Sequence, residues 1–117
     1  MSTLDARSLL EQGPSAAAER VRSAVGGRAA YLMLDIDFLD PAYAPETGTP
    51  SVGGPTTQQA RELLLGLCGV NVVGGDQVEV AQAYDALGQI TALAGATLAA
   101  DILYLIGLAR TERGAAR

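Results

Sequence analysis

The sequence predicts an α/β fold with a parallel sheet buried between helices, and three observations lead to this prediction. Residues 29–34 are an apolar run without polar alternation, which is typical of a strand covered on both faces, and residues 70–73, apolar except for Asn71, predict a second buried strand. A helical pattern lies between the two runs, and the order strand, helix, strand favours a right-handed parallel crossover. The length of 117 residues is that of one domain, or of part of one.

Capping residues and apolar spacing predict the first helices. Residues 15–25 are expected to form a short surface helix that Ser15 can cap and that ends at Gly26-Gly27. Thr56 and Gln59 have the spacing of a capping box. The apolar residues that follow lie on one helix face before the next glycine, and they are Ala60, Leu63, Leu64 and Leu67.

The remaining segments are a loop, a long helix and two ends. Residues 40–55 contain four prolines and three glycines, which exclude helix and central strand and predict a functional loop. Residues 90–109 are apolar almost all round and predict a long terminal helix. We expect residues 1–14 to be a lead-in and residues 110–117 to be a charged tail.

The composition excludes several classes of protein. The chain has no histidine, and its eight basic residues are all arginines. Ser-His-Asp and Cys-His catalysis, zinc fingers and lysine-dependent phosphate loops are therefore excluded. The net charge of −5 and the scattered arginines argue against nucleic-acid binding. The N-terminus lacks the pattern of a signal peptide, and Cys68 alone cannot form an internal disulfide, so a cytoplasmic protein is expected.

The predicted terminal helix also has the length of a membrane span, about 20 residues. Asp101 lies past its middle, where a charge opposes insertion into a bilayer. Many of its residues are alanine and glycine, which suit close packing against a sheet, and no basic cluster precedes it. We therefore favour a buried core helix over a membrane span.

Two pairs of carboxylates are the candidate chemical groups. Asp35 and Asp37 follow the first apolar run, and alternation along an extended chain would point both to one side while Ile36 enters the core. Two such close negative charges would suit a hard divalent cation such as manganese or magnesium. The alternative is that one aspartate caps a turn and the other is solvated. Asp76 and Glu79 follow the second run, and by themselves such acids more often belong to a solvated loop than to a site.

Longer motifs around these carboxylates carry a resemblance to a known family. Residues 34–50 read LDIDFLDPAYAPETGTP, and Gly53-Gly54 follow. Residues 75–80 read GDQVEV, Tyr84-Asp85 come next, and residues 90–94 read ITALA. Together these motifs resemble the arginase and agmatinase superfamily, the ureohydrolases, and agmatinases more than arginases.

The resemblance covers roughly residues 15–109 and implies the C-terminal part of a three-layer α/β/α sandwich with a parallel sheet. It implies that Asp35 bridges the metals of a binuclear manganese centre and that Asp37 binds one of them. That centre supplies the hydroxide that hydrolyses a guanidino compound to urea and an amine. Glu79 matches the carboxylate that pairs with the substrate guanidinium, and Asp76 matches an aspartate near the metals or substrate.

The sequence also departs from the family pattern. Met33 stands where a small hydroxyl residue is usual, Glu46 replaces a glycine of the usual PGTGTP, and Gln82 replaces a proline. Glu46 would add a negative charge to the rim of the site. The family's histidine motifs, of Gly-Gly-Asp-His and Asp-x-His-x-Asp type, lie N-terminal to the matching segment and are absent here. The ligand set is therefore incomplete, and we expect the chain alone to be inactive.

Three hypotheses follow for the chain as a whole. It is the C-terminal segment of an agmatinase-like hydrolase and needs the missing N-terminal part or a ureohydrolase oligomer to complete its sheet. Alternatively, it is a noncatalytic partner subunit or decoy that packs against an intact ureohydrolase. A small membrane-associated protein is the third and least favoured hypothesis.

Overall fold

The computed structural model describes residues 2–84 and 88–117, which form helices around a parallel pair of strands. The prediction of an α/β fold is confirmed. In chain order, the elements are helix α1 (Ala6–Gln12), helix α2 (Pro14–Val25), strand β1 (Ala30–Asp35), helix α3 (Thr57–Leu65), strand β2 (Val72–Val78) and helix α4 (Ile90–Ala115). Short 3-10 helices follow β1 at Ile36–Phe38 and β2 at Gln82–Tyr84.

The predicted caps were right for α3 and wrong for α2. Thr56 and Gln59 form the reciprocal capping box of α3, at 2.9 and 3.0 Å. Helix α2 begins at Pro14 after the N-cap Gly13, so Ser15 lies inside the helix and does not cap it. Proline is favoured at this first helical position because its missing N–H would have no partner there. The lead-in also contains α1, which the sequence analysis did not predict.

Strand β2 is longer than predicted, because the glycines after Val73 continue the strand. In the register, Leu32 lies opposite Gly75 and Asp35 lies opposite Val78. A Cβ on Gly75 would lie 2.7 Å from Cγ2 of Ile102 and 2.8 Å from the carbonyl oxygen of Leu32. The glycine therefore allows α4 to pack directly on the strand.

The strands are covered on one face only within residues 2–84 and 88–117. Leu34 lies in the core with Leu64 of α3 and Leu98 of α4. On the other face of β1, Tyr31 is 64% exposed and Met33 is 66% exposed. The expectation that this run is buried on both faces was therefore wrong for the described chain, because no described element lies over Tyr31 and Met33.

One side of helix α4 is buried in the core of the chain, and the other side is exposed. It packs against β2 and α3, and its buried Asp101 forms an ion pair with Arg61 of α3 at 2.8 Å. The helix continues to Ala115, so most of the predicted charged tail is helical. Among the described residues, α4 alone is long and apolar enough to cross a membrane, a criterion that core helices of soluble proteins also meet. Its docked face and paired aspartate favour the core helix.

Candidate metal and substrate site

Asp35 and Asp37 come together at the carboxyl end of β1, but not in the conformation that was expected. Asp35 is the last residue of the strand, and the chain then turns into the 3-10 helix instead of staying extended. The Asp35 carboxylate accepts a hydrogen bond from the backbone N–H of Asp37 at 3.1 Å. Asp35 thus caps the turn, and Ile36 is fully buried, as expected.

The surroundings of Asp35 disfavour its negative charge. Partial burial is the largest cause that raises the pKa of the Asp35 carboxyl above its ordinary value. The N–H of Asp37 opposes this rise, whereas the carboxylates of Asp37 and Glu79 raise the pKa further. A cation placed among these groups would relieve the repulsion, and carboxylate oxygens are the ligands that hard divalent cations prefer.

The loop of residues 40–55, the rim loop, folds back onto this turn. The Asp40 carboxylate accepts hydrogen bonds from the N–H groups of Ala42 and Gly53, both at 2.9 Å. These hydrogen bonds lower the pKa of Asp40. A Cβ on Gly54 would lie 2.4 Å from the carbonyl oxygen of Phe38, so glycine is required for this close approach. The prediction that residues 40–55 form neither helix nor strand is confirmed, and the rim loop is fixed against the segment that contains Asp37.

One contact from the rim loop to the site was missed in the sequence analysis. The hydroxyl of Thr49 donates a hydrogen bond to the carboxylate of Asp37. Thr49 lies within the motif that carries the family resemblance, yet nothing in its spacing predicted a contact with Asp37. Asp37 is therefore oriented by the loop and not only by its own strand.

Glu79 reaches the same end of the sheet, immediately after β2. Its backbone adopts φ +67°, a left-handed conformation that costs a residue with a side chain of order 1–3 kcal/mol. The Oε2 atom lies 3.7 Å from the position of a Cβ built on Gly48 of the rim loop. The Glu79 carboxylate thus lies against the rim loop, and its negative charge contributes to the raised pKa of Asp35.

Asp76 lies elsewhere on the sheet. It is exposed, and it pairs in register with Met33 instead of lying at the strand end. The Tyr31 hydroxyl interacts with it, and a slight loss of hydration together with the Asp76 charge and hydrogen bond raises the pKa of Tyr31. The structure thus brings Asp35, Asp37 and Glu79 together and leaves Asp76 on the uncovered face. The neighbouring motif residue Asp85 lies outside the described residues.

The described part of the chain offers an incomplete set of metal ligands. The oxygen donors of Asp35 and Asp37 fit a hard divalent cation by their chemistry. Across residues 2–84 and 88–117, however, no three side chains of His, Cys, Asp or Glu are grouped so that they could hold a metal ion. A stable site at this position therefore needs ligands in addition to these two aspartates.

Known proteins are similar to this chain in sequence and in fold. The sequence model that describes the arginase family matches residues 1–104 of this chain. The agmatinase of Photorhabdus laumondii is 50% identical over 104 residues, which are 89% of this chain and 34% of that protein. For an agmatinase of Escherichia coli the identity is 49% over the same shares of both chains.

Solved structures give the same result. The crystal structure of a hypothetical agmatinase from Burkholderia thailandensis has a TM-score of 0.86 and 53% identity, covering 90% of this chain and 33% of that one. Proclavaminate amidino hydrolase from Streptomyces clavuligerus has a TM-score of 0.86 and 37% identity, covering 91% and 36%. The chain therefore spans about a third of the length of the relatives that it matches.

Proposed function

This chain belongs to the arginase family, and we propose that it supplies part of the active site of an agmatinase-like ureohydrolase. The arginase-like fold expected from the sequence is confirmed by the solved structures. In this proposal, residues 15–109 are the C-terminal segment of the ureohydrolase domain. The complete enzyme hydrolyses a guanidino compound, agmatine or a close relative, to urea and an amine.

The observation that carries the proposal is the position of three carboxylates at the carboxyl ends of two paired parallel strands: Asp35 ends β1, Asp37 lies in the turn that follows, and Glu79 comes directly after β2. Partial burial is the main cause that raises the pKa of Asp35, and the negative charges of Asp37 and Glu79 add to this rise. Such repulsion destabilises the folded chain unless a cation is bound among the carboxylates. The proposed reaction involves two kinds of cation, the metal ions and the substrate guanidinium, and the positive charge of either would relieve this repulsion.

In the proposed reaction, the carboxylates would have different roles, metal binding and substrate binding. Asp35 and Asp37 would hold manganese ions, with the Thr49 hydroxyl keeping Asp37 in place. Metal ions bound there would supply an activated water, the nucleophile that hydrolysis of the guanidinium requires. Glu79 would accept two parallel N–H hydrogen bonds from the planar guanidinium and so orient its carbon. Asp76 lies on the uncovered face of the sheet, so it would contribute to the site only if another part of the enzyme covered that face and contacted it.

The chain alone should not catalyse this reaction. It has no histidine, and two carboxylates leave most of a metal's coordination positions to water. Weak binding and undefined geometry would then prevent activation of a water molecule. We therefore propose that the remaining ligands come from the part of a ureohydrolase that this chain does not contain.

Reconstitution tests this proposal. The chain is mixed or co-expressed with the part of the Escherichia coli agmatinase that lies outside the matched segment, and urea release from agmatine is measured with excess manganese. We expect release from the assembly, none from either part alone, and none with Asp35→Ala. Glu62→Ala, at an exposed carboxylate on α3, is the matched control and should retain activity. Turnover by the isolated chain that Asp35→Ala abolishes would contradict the proposed incompleteness. An assembly that forms but releases no urea would contradict the enzymatic role.

The uncovered sheet face favours one alternative, a noncatalytic subunit. Tyr31 and Met33 expose apolar surface that an intact ureohydrolase could cover without accepting the chain into its active site. This alternative predicts a stable complex with the intact enzyme, seen by size-exclusion chromatography, that Met33→Asp disrupts. It also predicts that Asp35→Ala leaves the complex and its activity unchanged, whereas our proposal predicts loss of activity.

A further inference from the structure

Glu46, which departs from the family pattern, does not add its charge freely to the rim of the site. Its carboxylate accepts a hydrogen bond from the hydroxyl of Thr91, in the first turn of α4. Its backbone N–H donates to the same hydroxyl oxygen at 3.0 Å. Thr91 is fully buried and Glu46 is partly buried, so this reciprocal pair is partly shielded from water. The pair ties the rim loop to α4.

The backbone of Glu46 also holds the segment that follows β2. Its carbonyl oxygen accepts a hydrogen bond from the N–H of Ala81 at 3.1 Å. Glu46 therefore joins three segments of the chain: the rim loop, the first turn of α4 and the residues just beyond Glu79. We call this arrangement of Glu46, Thr91 and Ala81 the rim clamp.

The clamp lies next to two residues with a left-handed backbone, Glu79 and Gln89. The left-handed backbone of Glu79 persists only where its surroundings hold it, and Ala81 is two residues away. The N-cap of α4, Gln89, is also left-handed and makes no side-chain capping hydrogen bond. A carboxylate near this helix N-terminus interacts favourably with the helix dipole. Glu46 thus makes its contacts within two residues of each of these positions, at Ala81 and Thr91.

The rim loop touches Glu79 a second time. Gly48, two residues after Glu46, faces the Glu79 carboxylate at 3.7 Å, measured from the position that a Cβ would take. Fixing Glu46 therefore fixes the stretch of loop that the Glu79 side chain lies against. Backbone and side chain of Glu79 are held by the same short segment.

We infer that Glu46 is a positioning residue that, through Thr91 and Ala81, sets the orientation of the Glu79 carboxylate. The consequence for catalysis rests on the proposed function, in which Glu79 binds the substrate guanidinium. The consequence for structure does not, because it concerns the isolated chain only. The structural consequence and the catalytic consequence can therefore be tested separately.

The structural test uses nuclear magnetic resonance on the isolated full chain. In Glu46→Ala, the amide of Ala81 should exchange faster with solvent, and the coupling constant that reports φ of Glu79 should leave the left-handed range. Glu46→Gln keeps an oxygen that accepts from Thr91 and should preserve both signals. Unchanged signals in Glu46→Ala would overturn the inference, whatever the activity of the assembly.

The functional test uses the reconstituted assembly and agmatine. Residues that orient a site group typically change affinity or activity by about 10-fold or more when they are removed. We expect Glu46→Ala to raise KM by about tenfold with a smaller change in kcat, and Glu46→Gln to restore KM. Thr91→Val should act like Glu46→Ala, whereas Thr91→Ser should act like the unmodified chain. If Glu46→Ala instead lowered kcat about tenfold and left KM unchanged, the link between Glu46 and substrate binding by Glu79 would be overturned.

Discussion

Two leucines on α4 allow a matched test of whether this helix packs into the core through a single buried face. Leu98 is completely buried, and Leu103 is 69% exposed on the other side of the same helix. Leu98→Ala removes buried carbon atoms and leaves a cavity, which costs about 3 kcal/mol. Leu103→Ala removes atoms that are already in water and should change the free energy of unfolding by no more than about 0.5 kcal/mol.

Urea unfolding of the full chain, followed by circular dichroism in detergent-free buffer, measures this difference. With a slope of about 1.5 kcal/mol per M, Leu98→Ala should lower the midpoint by about 2 M. Leu103→Ala should leave the midpoint almost unchanged, with the same slope. Equal effects of both substitutions would mean that α4 has no single buried face, and would refute its assignment as a core helix.

Two further predictions concern the elements around the site. Thr56→Ala removes half of the capping box of α3 and should lower the free energy of unfolding by about 1 kcal/mol, with Thr57→Ala as the neighbouring control in the same urea assay. The second prediction concerns pH: Asp40 has a lowered pKa in the folded chain, so the stability it contributes is present above its unfolded pKa of 3.8 and is lost as the pH falls through the folded pKa. Between about pH 4 and pH 2, the free energy of unfolding should therefore fall more steeply for the unmodified chain than for Asp40→Asn; parallel curves would contradict the role of the rim-loop hydrogen bonds.

Local signals made much of the fold predictable. The capping box at Thr56, the proline-rich loop and the apolar run of β1 each depend on neighbouring residues, and each was found where it was predicted. The N-cap of α2 was misplaced because proline and serine at its start are compatible with either boundary. Burial of both faces of β1 was inferred from composition, which cannot say whether the covering element belongs to the same chain.

The site was predictable in its residue types but not in its arrangement. The sequence indicated Asp35 and Asp37 as a pair, and the structure brings them together through a turn and not through an extended strand. The contacts of Thr49 and Glu46 join residues far apart in the chain, so no local pattern could reveal them. For Glu46, the departure from the family motif marked the position but suggested a free charge, whereas the carboxylate is bonded to Thr91.

The manganese content of the reconstituted assembly tests the central claim most directly, because it reports on Asp35 and Asp37 without requiring the correct substrate. After removal of free metal, we expect two manganese ions per assembly, as the family resemblance implies, and none retained by the isolated chain. Asp35→Ala should lower the content, and Glu62→Ala should not. A manganese content that is the same with and without Asp35 would contradict the claim that this chain contributes ligands to the metal centre.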